Sequence, residues 1–330
     1  PRRRVTAARM PLGSGRGMTA TAVTITHDDE LTANAARLAV MTAPTPTVLV
    51  EETDGCEIWA KLEHLHPSGS TKDRVAARIV EDGIRRGRIT ASTTVVEASS
   101  GSMSISLAMA CALVGIRFVA VMPANVTPER TVMIRGLGGD VVLTDPDVGM
   151  GGALAEVDRL ASDDPSVFLP RQFENHLNTD AHSSHTGAEM LAQVPTRIDA
   201  FVAGVGTGGT LTGIARALRT VNDSVLVGQA VPVDDSGAPS AAVPGVVDGY
   251  SRLLAAQPPD RRITVHTDEA YSAARHLIAR GFAVGPSSGL NLAAARHLAR
   301  EIGSGVVTTI FPDRMERYFS SALFTDLGGR

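Results

Sequence analysis

The sequence predicts an α/β protein of two three-layer domains, each a mostly parallel sheet between helices, with a cleft between them. Short apolar runs alternate with helical patterns along most of the 330 residues, which is typical of parallel sheets covered on both faces. These units fall into two clusters, which indicates two domains. Aromatic residues make up only 4% of the chain and glycines number 32, so the core rests on Ala, Val, Leu and Ile, and the connections are tight turns.

The first helix is predicted over Asp28 to Met41, because an Ala-rich stretch ends before Pro44. Two strands at 47–52 and 57–63 follow, split by an Asp-Gly turn. The later helices are predicted at 72–86, 101–113, 128–136, 151–161, 209–219, 268–280 and 289–302. The later strands are predicted at 93–98, 117–122, 140–145, 199–204, 225–230 and 262–266, with a surface loop at 231–245.

Bulk composition excludes several classes of function. A net charge of −4 and a pI near 6.2 argue against a nucleic-acid partner. The two cysteines, Cys56 and Cys111, form no CxxC pair and no disulfide framework, which favours a reducing compartment and a cytoplasmic location. The most apolar stretch, 107–122, is interrupted by Gly115 and Arg117, so no membrane span is expected.

A glycine-rich loop follows the strand predicted at 199–204. It reads Gly206-Thr207-Gly208-Gly209-Thr210 and opens a helix. Backbone N–H groups and the helix dipole at such a position favour a phosphate. The same segment satisfies GxGxxG, so a dinucleotide site or a plain turn remain alternatives.

Only two lysines occur among the 31 basic residues, Lys61 and Lys72. Lys72 follows a Pro/Ser/Gly turn and begins a helix, where the dipole disfavours a cation and lowers the pKa of the amine. A neutral amine is a nucleophile. A surface lysine is the alternative for Lys72, whereas Lys61 lies within a strand and is expected to be structural.

Joined together, six ordered motifs between about Thr45 and Ala295 resemble the fold-type II pyridoxal-phosphate enzymes, specifically the cysteine synthase / cystathionine β-synthase family. The motifs are KLEHLHPSGSTKDR, EASSGSMSISLAMA, VMPANVTPERTVMIRGLGGDVVLTDPDVGMGGA, RQFENHLN with HTGAEM, GVGTGGTLTG and GPSSGLNLAAA. The resemblance implies a tryptophan-synthase-β-like fold with pyridoxal 5'-phosphate in the cleft. It also implies a homodimer.

The resemblance assigns cofactor roles by position. Lys72 would carry the cofactor as a Schiff base and act as the base at Cα, and Ser287 would face the pyridine nitrogen. Ser102 stands where the family has an Asn that bonds the cofactor ring oxygen. The phosphate would be held by Gly206, Thr207, Gly208, Gly209 and Thr210.

Substrate roles follow in the same way. The α-carboxylate would be bound by Ser99, Ser100, Gly101 and Gln172. Met103 replaces a Thr that donates to this carboxylate, and Asp248 is an acid in the segment near the substrate entrance. These departures favour a specialised member, such as a diaminopropionate- or ureidoserine-synthase-like enzyme.

The implied reaction is β-replacement on O-acetyl- or O-phospho-L-serine through an α-aminoacrylate, giving cysteine or a diaminopropionate-type amino acid. The alternatives are a serine/threonine dehydratase-like lyase and a catalytically weakened cofactor-binding paralogue. The partners expected are the amino-acid substrate and a nucleophile, with no nucleic acid and no membrane. No metal is expected, because His182 and His185 have no third ligand in sight.

The domains are predicted from the same motifs. Residues 1–27 are expected to be a disordered tail. For about the first 17 of them, which precede Met18, an upstream translation start is the alternative. Residues 48–177 are expected to form a smaller domain with the cofactor lysine and the substrate loop. Residues 28–47 plus 178–330 are expected to form a larger domain with the phosphate loop.

Overall fold

The computed structural model describes residues 26–246, 252–255 and 257–324. The described residues form ten strands: β1 (Thr47–Thr53), β2 (Cys56–Lys61), β3 (Thr94–Ala98), β4 (Arg117–Pro123), β5 (Asp140–Thr144), β6 (Val167–Phe168), β7 (Ala200–Gly204), β8 (Leu226–Val233), β9 (Arg261–His266) and β10 (Gly305–Ile310).

Eleven α-helices lie in the same described part of the chain. They are α1 (His27–Asn34), α2 (Lys72–Arg85), α3 (Ser102–Val114), α4 (Pro128–Gly136), α5 (Gly149–Asp163), α6 (His176–Ala181), α7 (Ala188–Gln193), α8 (Gly209–Arg219), α9 (Arg252–Ala255), α10 (Thr267–Ala279) and α11 (Pro286–Ile302). A π-helical segment, His182–Gly187, joins α6 to α7. Short 3-10 turns include Ala35–Thr42 and Met315–Tyr318.

The strands form two separate sheets. The larger has the order β1-β2-β10-β7-β8-β9, and the smaller has the order β5-β4-β3-β6. All neighbours are parallel except β1 and β2, which form an antiparallel hairpin.

Helices cover both faces of each sheet. Val202 of β7 packs in one apolar cluster with α10 and α11, whereas its neighbour Phe201 packs with α8 in another, since side chains alternate along a strand. The smaller sheet has α2 and α3 on one face and α5 on the other. The predicted pair of three-layer α/β units is therefore confirmed.

The division of the chain between the two units differs from the prediction. Residues 48–61 were expected in the smaller domain, but β2 pairs with β10 from Cys56↔Gly305 to Lys61↔Ile310, which places the hairpin in the larger sheet. Residues 28–47 were expected in the larger domain, yet Leu31 and Leu38 pack into the core of α2 and α3. The β2–β10 contact joins segments about 250 residues apart, and no local pattern reports such a pairing.

The chain start and several short elements also differ. Thr26, expected in the tail, caps α1 by accepting a hydrogen bond from the Asp29 N–H at 3.2 Å, and His27 is the first residue of α1. Residues 1–25 of that tail lie outside the described residues. The predicted helix 28–41 is α1 followed by the 3-10 turn. The sequence reasoning missed α6, α7, α9 and β6, because these are short. It also missed β10, although this strand is a six-residue, mostly buried run. Within the described ranges, no helix has the length and apolarity needed to cross a membrane.

Candidate active site

A cavity of about 360 Å³ lies where strands of both sheets end. Its wall includes residues directly after the carboxyl ends of β3, β7 and β10, together with the first turns of α2 and α11. Ligands in parallel α/β sheets bind at this edge of the strands. The fold therefore brings motifs that are far apart in sequence to one place.

Lys72 lies on the cavity wall as the first residue of α2. Burial lowers the pKa of its amine to about 8, although Asp313 and Glu63 act in the opposite direction. The start of α2 is anchored behind the cavity by Arg74, which is fully buried and donates to Glu63 at 2.8 Å and to Glu189 at 2.6 Å. Lys72 is thus a partly desolvated amine on a fixed helix end.

The second lysine, Lys61, does not line the cavity. It is fully buried and lies 2.7 Å from Glu189, and it donates to the Thr45 carbonyl at 2.6 Å. The structural role expected for it agrees with this placement.

The phosphate-type loop forms another part of the wall. Gly206, Thr207, Gly208 and Thr210 line the cavity, whereas Gly209 begins α8 behind it. Gly208 has φ +84°, a left-handed conformation that favours glycine. A Cβ at Gly206 would lie 2.5 Å from the carbonyl oxygen of Gly245. The N-cap of α8 is Gly208, which has no side chain that could accept from the first-turn N–H groups, so this helix start fits a phosphate.

His182 supports this loop from the π-helical segment. Its Nε2 lies 3.1 Å from Thr210 Oγ1, and its Nδ1 lies 3.0 Å from Thr186 Oγ1. Burial, with a smaller effect of Lys72, lowers the pKa of His182 to about 3. The ring is therefore neutral at physiological pH and serves as a hydrogen-bond partner of Thr210.

The loop between β3 and α3 holds the predicted substrate residues. Ser99, Ser100, Ser102 and Met103 line the cavity, but Gly101 does not. Gly101 has φ +142°, and a side chain there would collide with the stem of Arg130.

The Ser99 hydroxyl is already engaged within the loop. It lies 2.7 Å from Ser104 Oγ and accepts from the N–H groups of Gly101 and Ser104 at 3.1 and 3.2 Å. Ser99 therefore shapes the loop in addition to lining the site.

The remaining predicted residues divide into three cases. Gln172 lines the cavity, and its Nε2 donates to the Ala98 carbonyl at 2.9 Å. Ser287 lines it from the first turn of α11. Asp248 lies outside the described residues, although Pro244, Gly245 and Val246 of the same segment are on the wall.

The wall residues that were not identified from the sequence include Asp313, Tyr318 and Arg130. Arg130 donates to the Ser100 carbonyl and stacks over the Tyr318 ring at 5.3 Å. The sequence contains a signal for Asp313, because an acid that follows the run 305–311 after a single proline marks the carboxyl end of a strand. No sequence pattern marks Arg130, because tertiary packing alone brings it to the site. Among the described residues no cluster of His, Cys, Asp and Glu could hold a metal ion.

The chain belongs to the family of pyridoxal-phosphate-dependent enzymes, whose family model matches residues 39–313. It is 37% identical over 276 residues to cysteine synthase B of Campylobacter jejuni, a match covering 82% of this chain and 92% of the relative. The predicted resemblance to cysteine synthases and the predicted cofactor are therefore confirmed.

Two solved structures are also similar. The O-acetylserine-dependent cystathionine β-synthase of Helicobacter pylori has a TM-score of 0.80 and 30% identity, covering 87% of this chain and 98% of that one. O-ureido-L-serine synthase has a TM-score of 0.79 and 32% identity, covering 86% and 94%. Both support the fold seen here.

Proposed function

We propose that this protein catalyses β-replacement on O-acetyl- or O-phospho-L-serine, in which a nucleophile replaces the leaving group on Cβ. The observation that carries the proposal is the shared cavity of Lys72, a phosphate-type loop and a hydroxyl-rich loop. Similarity to a cysteine synthase and to an O-acetylserine-dependent synthase supports the same reaction class.

Pyridoxal phosphate, when bound, supplies an electron sink for the α-carbon of the amino acid. We assign its phosphate to Gly206, Thr207, Gly208 and Thr210, and its pyridine nitrogen to Ser287. The first turn of α8 favours the phosphate charge. The Ser287 hydroxyl is neutral and does not hold the ring nitrogen protonated as a carboxylate would, which favours chemistry at Cβ over transamination.

Lys72 is the base in this proposal. With a pKa near 8, about one tenth of the free amine is neutral at pH 7, a far larger share than for an ordinary lysine. Its Nζ takes the proton from Cα as the leaving group departs from Cβ. The same Nζ returns the proton to Cα once the nucleophile has bonded to Cβ.

The substrate carboxylate is assigned to the loop after β3 and to Gln172. Ser100 and Gly101 directly precede the first turn of α3, where N–H groups favour an anion. Because the Ser99 hydroxyl is engaged with Ser104, Ser99 acts here by holding the loop in shape. Gly101 permits the backbone turn beneath Arg130.

The nucleophile is proposed to be an amine or another group different from sulfide. The family resemblance places an Asn and a Thr where this chain has Ser102 and Met103, and both residues line the cavity. Met103 removes a carboxylate donor and adds bulk next to the substrate. Similarity to O-ureido-L-serine synthase supports a specialised nucleophile.

The test is turnover by the purified holoenzyme with each activated serine, in the presence of sulfide or an amine, with products identified by mass spectrometry. Lys72→Ala is the inactive control, and Lys61→Met is the matched control for loss of a lysine outside the cavity. A β-substituted alanine formed by wild type and by Lys61→Met, but not by Lys72→Ala, supports the proposal.

Other outcomes identify the alternatives. Pyruvate release at a rate independent of the nucleophile identifies a lyase. Absence of turnover with a normal cofactor spectrum identifies a weakened paralogue. Turnover of sulfide much faster than that of any amine contradicts the proposed nucleophile while leaving β-replacement in place.

Assembly and location are proposed from the family resemblance and the cysteine content. For a homodimer, analytical ultracentrifugation would give twice the 34.4 kDa mass of the chain. Cys56 and Cys111 are both free and buried, as a protein of the reducing cytoplasm would have them.

A further inference from the structure

A buried chain of hydrogen bonds connects the substrate loop after β3 with the phosphate-type loop after β7. Glu97, in β3, accepts from the backbone N–H of Gln172 at 3.1 Å. The Gln172 carbonyl accepts from Asn178 Nδ2 at 2.9 Å, and the same Nδ2 donates to Thr207 Oγ1 at 2.9 Å. All four residues are at most 5% exposed, so water does not compete for these bonds.

In the first half of this hydrogen-bond chain, Glu97 and Gln172 are each also bonded to Ala98. Glu97 also accepts from the Ala98 N–H at 3.0 Å, and Gln172 Nε2 donates back to the Ala98 carbonyl at 2.9 Å. The preceding residue, Arg171, has φ +52°, an uncommon value for a residue other than glycine. The position of Gln172 is therefore tied to the end of β3.

The second half of the hydrogen-bond chain depends on Asn178, a fully buried residue of α6. Both bonds of its Nδ2 reach a loop of the cavity. A side chain on Gly209 would collide with the Asn178 amide, so Asn178 also packs directly against the first residue of α8. Its Oδ1 is buried and has no hydrogen-bond partner in the described part of the chain, which is a cost to stability.

The Thr207 hydroxyl oxygen accepts hydrogen bonds from two N–H groups. Its Oγ1 accepts from Asn178 Nδ2 at 2.9 Å and from the Gly209 N–H at 3.4 Å. These two bonds hold Thr207 between Asn178 and the first residue of α8.

We propose that Asn178 is a positioning residue that couples the two loops, so that the geometry of the substrate-carboxylate site and the geometry of the phosphate site depend on each other through Glu97 and Gln172. The assignment of the two loops rests on the proposed function. We therefore expect a change at Glu97, which does not line the cavity, to weaken retention of the cofactor, and a change at Asn178 to weaken binding of the substrate carboxylate.

The experiment compares Glu97→Gln, Asn178→Ser and the double variant as holoenzymes. Each protein is diluted, and the release of pyridoxal phosphate is followed by its visible absorbance. The concentration of O-acetyl-L-serine that half-saturates the spectral change is measured in parallel. We expect each single change to speed release and to raise the half-saturating concentration by about tenfold. The amide that replaces the Glu97 carboxyl has one acceptor oxygen for the two N–H groups of Ala98 and Gln172, and Asn178→Ser removes the Nδ2 that joins Gln172 to Thr207.

The double variant tests the coupling itself. Since both changes break one chain, its release rate should lie within about twofold of the worse single variant. A multiplied effect, or an unchanged release rate in Glu97→Gln, would overturn the proposal. Release is measured without substrate, so the result stands even if no activated serine is turned over.

Asn175→Ser is the matched control. Asn175 lies three residues earlier, caps α6 by accepting from the Leu177 N–H at 3.1 Å, and its Nδ2 donates to the Pro170 carbonyl. Serine keeps the cap, so release is expected to stay at the wild-type rate. Thermal unfolding of each variant is recorded. If Asn178→Ser does not fold, the release rate of Glu97→Gln alone tests the proposal, because its amide keeps the shape of the side chain.

Discussion

The Tyr318 hydroxyl donates to Oδ2 of Asp313 at 2.6 Å on the wall of the cavity that contains Lys72. Burial, followed by the charge of Asp313, raises the pKa of Tyr318, so the phenol remains a donor throughout the physiological range. Ser102 Oγ lies 3.4 Å from the same carboxylate oxygen. Ser102, which occupies the position of the family's Asn, therefore turns its side chain toward Asp313.

Asp313→Asn should lower the pKa of Lys72 below its value of about 8, because the charge of Asp313 raises that pKa. Apoenzyme captures pyridoxal phosphate through the neutral amine, so the capture rate rises with pH as Lys72 loses its proton. The midpoint of this rise is expected near pH 8 in wild type and about one unit lower in Asp313→Asn. Stopped-flow absorbance across pH 6 to about 10 measures it.

Tyr318→Phe is the control for the Asp313 prediction. It removes the hydrogen bond to Asp313 but keeps the carboxylate, so the midpoint should remain near that of wild type. An equal shift in both variants would show that packing around Lys72, and not the charge of Asp313, sets the midpoint.

The two lysines should affect the stability of the apoprotein in opposite directions. The pKa of Lys72 falls from 10.5 to about 8 on folding, so the folded state disfavours its proton. This penalty is present in full below pH 8 and disappears as pH rises to 10.5. Lys72→Met should therefore raise the free energy of unfolding at pH 7 by up to about 3 kcal/mol.

Lys61→Met should lower the unfolding free energy at pH 7 by about 2 kcal/mol, because it removes the buried hydrogen bonds of Lys61 to Glu189 and to the Thr45 carbonyl. Glu189 keeps Arg74 as a donor, and the Thr45 carbonyl keeps Gln193 Nε2. Urea unfolding of both variants at pH 7, and of Lys72→Met again at pH 10.5, tests the pair. A stabilisation by Lys72→Met that persists unchanged at pH 10.5 would not be electrostatic.

The parts of the site that could be predicted are those with a local signature. Lys72 follows a turn and begins a helix, and the phosphate-type loop lies between a strand and a helix. Ser287 follows a proline at the start of α11. Each motif occupies a few consecutive residues at one end of an element, and parallel strands bring those ends to one edge of the fold.

The parts that could not be predicted depend on contacts between distant segments. The pairing of β2 with β10, the packing of Arg130 beneath Ser100, and the bond from Asn178 to Thr207 join residues between about 30 and 250 positions apart. A polar side chain in a short helix has no pattern that distinguishes a buried bridge from a solvated surface. Gln172 was placed by resemblance, but its bonds to Glu97 and Ala98 were found only in the structure.

Gly209→Ala should weaken cofactor retention by tenfold or more. A methyl group at this position collides with the amide of Asn178, which is fully buried and cannot move aside without breaking its bond to Thr207. The matched control is Gly136→Ala at the end of α4, where a Cβ meets open space. The control is expected to be neutral or to stabilise by about 0.5 kcal/mol. Equal cofactor release by both variants would contradict the packing described here.

Met103→Thr should lower the KM for O-acetyl-L-serine by about tenfold, because it replaces an apolar side chain on the cavity wall with a hydroxyl donor next to the substrate-carboxylate loop. Adding Ser102→Asn should also increase the rate with sulfide relative to amines, if these two positions set the choice of nucleophile. Met109→Thr is the control, since Met109 lies on the same helix but not on the cavity wall. It should reduce stability without changing KM. An unchanged KM in Met103→Thr would show that the loop backbone and Gln172 bind the carboxylate without help from this position.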